Sequence, residues 1–117
     1  MGDFVWRGIV EGFYGKPWSH EERADMLSFM SEIGMNAYIY APKNDPYHRR
    51  KWRIPYPAKQ LASLKRLASH ARSADISFVF AVSPGLSLRY SDKHDVDALT
   101  AKMTALHDVG VRDFALL

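Results

Sequence analysis

The sequence predicts an α/β fold of consecutive strand–helix units. Four short runs rich in Val, Ile, Phe and Tyr, bounded by Gly, Pro, Asn or Ser, read as buried strands. They are nearly continuous in apolarity rather than alternating, which fits a parallel sheet covered on both faces. Stretches with helical periodicity separate them, and the units recur at roughly 30–40 residues, the size of a βα unit. Strand alternating with helix in this way marks the α/β class.

The first strand is read over Phe4–Val10, "FVWRGIV". A helix is predicted over Ser19–Ile33, where Ser19 and Glu22 stand at capping-box spacing. Met26, Phe29, Met30 and Ile33 form its expected apolar face, and Gly34 sits where a C-terminal cap belongs. The second strand is Ala37–Ala41, followed by a helix over Ala58–Ala74 that carries Leu61, Leu64, Leu67, Ala68 and Ala71 on one side. The third strand is Phe78–Val82. The third helix, Asp95–Val109, presents Val96, Leu99, Met103 and Leu106 and ends before Gly110, and Phe114–Leu117 is the fourth strand. Two architectures fit: an open doubly wound sheet, or part of a (β/α) barrel. A complete barrel has eight strands in about 250 residues. Four strands with no helix after the last read as a portion of one, ended at the fourth strand.

The 117 residues are enough for one modest domain with its own core. A net charge of +3 is mildly basic, weak evidence for a nucleic-acid partner. The absence of cysteine excludes disulfides, thiol chemistry and cysteine-based zinc sites, and suits a cytoplasmic protein. Asp3 and Arg7 interrupt the N-terminal apolar stretch, so no signal peptide is expected. No apolar run approaches a membrane span.

In either architecture, ligands bind beyond the carboxyl ends of the strands. The segments there are Glu11–Trp18 ("EGFYGKPW"), Pro42–Pro57 ("PKNDPYHRRKWRIPYP") and Ser83–Asp92 ("SPGLSLRYSD"). Gly12 lets backbone approach a ligand closely, or merely relieves a tight turn together with Gly15. Lys43 stands just past the second strand, where its ammonium either points over the end of the sheet or is solvated. Asp45 pairs with Lys43 or caps the loop. Glu11 reads as a buried acid or as a partner for Arg7, with the ion pair favoured. Tyr14, Trp18 and Trp52 either stack on a sugar or pack the loops, with packing favoured. The run His48–Arg53, "HRRKWR", has the composition of a phosphate-tracking patch and equally that of a solvated basic loop, the favoured reading. The five histidines lack metal-ligand spacing. No phosphate-binding, dinucleotide or nucleophile-elbow motif is present, and no cofactor is expected.

Four blocks, "RGIVEGFYGKPWS", "YIYAPKNDPYHR…WR", "FVFAVSPGLS" and "DFALL", resemble in order and spacing the family 84 glycoside hydrolases, β-N-acetylglucosaminidases that include the O-GlcNAcases and bacterial hyaluronidase-like enzymes. The resemblance runs from about Phe4 to Leu117. It implies the first half of a (β/α)8 TIM barrel, with 1–117 a partial catalytic domain. It further implies that the Gly12 carbonyl accepts from a sugar hydroxyl and that Lys43 donates to the ring hydroxyls of N-acetylglucosamine, with Phe13, Tyr14 and Trp18 supporting that wall. Asn44 departs from the family, where many relatives have Asp, and removes a charge beside Lys43.

In the family, the fourth block runs into Phe-Asp-Asp, and this aspartate pair is the catalytic machinery; the sequence ends at Leu117, before either. Of that pair, one orients the 2-acetamido group, whose oxygen attacks the anomeric carbon to give an oxazoline. The other protonates the leaving oxygen and then activates water, so retention follows from two inversions. The implied partner is a glycan or glycoprotein bearing N-acetylglucosamine. A non-catalytic carbohydrate- or protein-binding module is the alternative, and open sheet edges imply self-association.

Overall fold

The computed structural model describes residues 5–12 and 16–116. The elements, in chain order, are β1 (Gly8–Glu11), α1 (His20–Glu32), β2 (Ala37–Tyr40), α2 (Ala58–Ser73), β3 (Ser77–Val82), α3 (Lys93–Asp108) and β4 (Asp113–Leu116), with a single 3-10 turn at Gly85–Ser87. The strands form one parallel sheet in the order β1-β2-β3-β4. Neighbouring strands are joined in sequence order through a helix, the connection from which (β/α) barrels are built. The doubly wound alternative would require a reversal of strand order.

β1 begins at Gly8, later than the expected Phe4; Phe4 itself lies outside the described residues. Val5 and Trp6 stand 79% and 62% exposed, ahead of the first ladder pair, Gly8 with Ala37. A Cβ at Gly8 would lie 2.0 Å from the Ala37 carbonyl oxygen, so only glycine permits this approach. Asn36 fixes the entry: its Oδ1 accepts from the Arg7 amide at 2.8 Å and its Nδ2 donates to the Val5 carbonyl at 2.7 Å.

α1 carries the expected capping box: Glu22 N donates to Ser19 Oγ at 3.1 Å and Ser19 N to Glu22 Oε1 at 2.9 Å. Gly34 follows its C-terminus at φ 82°. Its buried face is rotated from expectation. Leu27 and Met30 are fully buried, whereas Phe29 and Ile33 are exposed. The rotation follows from Arg23, which turns inward to meet Glu11 and brings Leu27 and Met30, four and seven residues on, to the same side. α2 buries Leu64, Leu67, Ala68 and Ala71, as its spacing predicts. α3 starts earlier than expected, at Lys93, with Asp92 as N-cap accepting from the His94 amide at 2.9 Å. Val96 is exposed, and two inward positions go to Asp95 and Lys102.

The core lies between the sheet and the helices: Tyr38, Tyr40, Phe78, Phe80 and Val82 pack against Leu27, Met30, Leu64, Leu67 and Leu106. Their alternates, Val10, Ile39 and Val79, are half-buried or exposed. Helices therefore cover one face only, and the continuous apolarity of the strands belongs to a sheet whose other face lines the inside of a barrel.

Candidate active site

Beyond the carboxyl ends of the strands lies an open hollow of about 640 Å³. Lys43, Asn44, Pro46, Arg49 and Arg50 of the β2–α2 loop and Ser83, Pro84 and Gly85 after β3 line it. Lys43 lines this hollow, just past the end of β2. Gly12 is not part of this lining. It sits at the end of β1, outside the left-handed region, where a Cβ would meet Val10 Cγ1 at 3.3 Å and the Ala41 carbonyl at 3.7 Å. Gly15, Phe13 and Tyr14 lie outside the described residues.

Among the described residues, the lining has three cations and no carboxylate. The acids near the strand ends are all engaged elsewhere. Glu11 is completely buried, and its partner is Arg23, not Arg7, which lies at the other end of β1 and donates through Nε to the Gly34 carbonyl. Arg23 grips Glu11 with Nε at 2.7 Å and with a terminal nitrogen at 2.8 Å. The Tyr38 hydroxyl and the Trp18 amide also donate to this carboxylate. Burial first, and Glu11 second, push the Tyr38 hydroxyl far above its ordinary range.

Asp45 is the acceptor for a tyrosine cluster. Its Oδ2 accepts from the Tyr40 and Tyr56 hydroxyls, each at 2.6 Å, and its Oδ1 from the Tyr47 amide at 2.8 Å. It therefore closes the loop from within, as an Asx turn does. Asp95 accepts from Arg53 at 2.7 and 2.9 Å and from the Arg89 amide at 3.0 Å. The Arg53 guanidinium, then the amide, hold its carboxyl down at about 2.

Only part of the run "HRRKWR" faces outward: Arg49 and Arg50 line the hollow beside Lys43. Trp52 is fully buried, with Nε1 donating to Ser87 Oγ at 2.8 Å, and Arg53 covers its ring at 4.5 Å while holding Asp95. His48 is buried as well. His48, Trp52 and Arg53 make the segment a structural clasp between the β2–α2 and β3–α3 loops, so it is not a wholly solvated loop. Trp18 is half-buried and packs on the core, as the packing reading has it. Among the described residues, no group of three or more His, Asp or Glu side chains is placed to hold a metal ion, and no helix is long and apolar enough to cross a membrane.

A family model described as NAGidase, beta-N-acetylglucosaminidase, matches residues 7–117. The chain belongs to this family, the glycoside hydrolases of family 84. Protein O-GlcNAcase of Rattus norvegicus and that of Mus musculus are each 41% identical over 110 residues, which cover 94% of this chain and 12% of theirs. Among solved structures, CpGH84B is 52% identical with a TM-score of 0.91, over 97% of this chain and 20% of that one. A mutant of the Thermobaculum terrenum O-GlcNAc hydrolase is 51% identical with a TM-score of 0.93, over 97% and 24%. The chain therefore spans about an eighth of the curated relatives' length, and its four strands and three helices are part of a family 84 barrel.

His48 and Arg23 escaped the sequence reading. Arg23 looks like any polar helix residue, and a histidine in a basic run reads as surface; only the placement of Glu11 and of the strand-end carbonyls gives either a role.

Proposed function

We propose that this chain forms the first four strands of a retaining β-N-acetylglucosaminidase barrel, which removes terminal N-acetylglucosamine from glycoprotein or glycan by substrate-assisted catalysis. Residues 1–117 contribute one wall of the sugar site. Lys43 donates to the ring hydroxyls and Gly12 offers its carbonyl. The aspartate pair that polarises the acetamido group and protonates the leaving oxygen follows Leu117 in the complete domain. The observation that carries this reading is the cationic hollow beyond the strand ends, with Lys43 on its wall and no carboxylate on it. Leaving-group protonation needs a positioned acid. Glu11, Asp45 and Asp95 are held by Arg23, by three tyrosines and by Arg53, and none is available for it.

The test compares the 117-residue chain with the same chain extended through the remaining strands, both incubated with an aryl N-acetylglucosaminide. The extended form should release the aglycone, and the short chain should match buffer. Turnover by the short chain that survives repurification and is abolished by a substitution within it would overturn the assignment of the acids. In the extended form, Lys43→Ala removes a charged hydrogen bond, worth roughly 1.5–3 kcal/mol, or about one to two decades in kcat/KM. Unchanged kinetics would remove Lys43 from the site.

A further inference from the structure

His48 is buried at 1% exposure in the β2–α2 loop, whose neighbouring residues Arg49 and Arg50 line the hollow. Its Nε2 lies 2.6 Å from the carbonyl oxygen of Pro42, the residue before Lys43, and its Nδ1 lies 3.1 Å from the carbonyl oxygen of Ala81 in β3. Its own carbonyl accepts from the Ser83 amide at 2.6 Å, and Ser83, like Lys43, lines the hollow. One side chain thus ties together the two strand ends from which the walls of the hollow rise. We propose that His48 is a positioning residue for Lys43, and that protonation of its ring completes the tie between β2 and β3. The proposal rests on the reading of Lys43 as a sugar contact.

The chemistry is that of the imidazole ring. A neutral ring carries one N–H and one lone pair, and only the imidazolium donates from both nitrogens. With two carbonyls facing it, the neutral ring can satisfy one. The shorter contact, to Pro42, keeps the proton, and the other nitrogen then sets a lone pair against the Ala81 oxygen. Burial opposes the charged form, and so does Arg49; the two carbonyls and Asp45 favour it, and the Tyr40 ring, its centroid 6.4 Å from that of His48, is neutral. Burial prevails, so the ring titrates below its ordinary value of 6.5. The tie is two-ended on the acid side of that transition and one-ended above it.

The experiment uses the extended, closed barrel and two readouts. The first is the ring ¹⁵N spectrum, with His48 assigned by its loss in His48→Gln. Below the transition both nitrogens should carry protons; above it, Nε2 alone should keep one. A ring that stays singly protonated throughout the folded range, or that keeps its proton on Nδ1, would overturn the proposal. The second is kcat/KM across pH. His48→Phe should lose about tenfold, mostly through KM, and His48→Gln, which keeps one donor, should lose less. The ratio of wild type to His48→Gln should fall as pH rises through the transition seen by NMR, because the second tie is lost there. A flat ratio would overturn the protonation step. If Lys43→Ala changes kcat/KM and the His48 variants do not, positioning is refuted while the sugar-site reading stands. If Lys43→Ala changes nothing, the sugar-site reading itself fails.

Discussion

Glu11 shows how much depends on one side chain. Its carboxylate, fully buried at the end of β1, accepts from Arg23, Tyr38 and the Trp18 amide, tying the strand, the first helix and the loop between them. A buried ion pair that loses one member leaves a charge without compensation, at a cost of about 3–5 kcal/mol. Glu11→Gln should therefore unfold at much lower urea concentration than wild type in a closed barrel, and a shift below about 1 kcal/mol would mean that the pair is solvated. Lys102 is the opposite case. Its ammonium is buried in α3, donates to the Tyr47 carbonyl and lies 4.9 Å from the Tyr56 ring centre. Burial pushes it down to about 8 from an ordinary 10.5. Between those values the unfolded chain binds more protons than the folded one, so this group makes stability rise with pH from about 8 towards 10.5. Lys102→Met should abolish the rise, seen as a difference in denaturation midpoint from wild type that narrows over this window. A difference independent of pH would show that Lys102 is solvated in the folded state.

At the scale of elements, the ends of the helices were the most legible. The Ser19–Glu22 box and Gly34 define α1, and α2 was readable along its whole length because its leucines and alanines keep strict helical spacing. After α2 the chain takes the same left-handed turn with a less suitable residue: Asp75 stands at φ 61°. An L-residue there costs about 1–2 kcal/mol, which glycine avoids at some expense in unfolded-state entropy. Asp75→Gly should raise stability by about 0.5–1 kcal/mol in a closed barrel. A loss would mean that the Asp75 side chain contributes more than the strain costs. The faces of α1 and α3 were read only in part: Met26, Met30, Leu99 and Leu106 do pack on the core, but Phe29, Ile33 and Val96 are exposed because charged residues occupy inward positions, Arg23 in α1 and Asp95 and Lys102 in α3. Periodicity of apolar residues cannot register an inward charge whose partner lies in a distant loop. That Lys43 lies in the lining of the hollow was legible from its place just past a strand end. Packing was the favoured reading of Trp52 and its burial agrees, whereas the role of His48 was not legible, since a basic run conceals a buried histidine.

At the scale of the whole molecule, the sheet has two edges and one uncovered face. β1 and β4 each pair on one side only. Val5, Trp6 and Val10 around β1 and Phe29 in α1 are exposed, and Leu116, 51% exposed, lies on β4. Unpaired edges template pairing with another chain, and large apolar side chains left exposed beside them add to the tendency to associate. A polypeptide of these 117 residues should therefore associate or remain partly folded in isolation. Light scattering coupled to size exclusion should give a mass that rises with concentration, with a broad thermal transition. Phe29→Lys combined with Val10→Lys should weaken the association, since it places charge on one edge and on the uncovered face without touching the helix-side core. Extension through the remaining strands should abolish association altogether, because β1 and β4 then gain covalently supplied neighbours. A concentration-independent monomer with a sharp cooperative melt would instead mean that four strands and three helices already bury enough surface to stand alone.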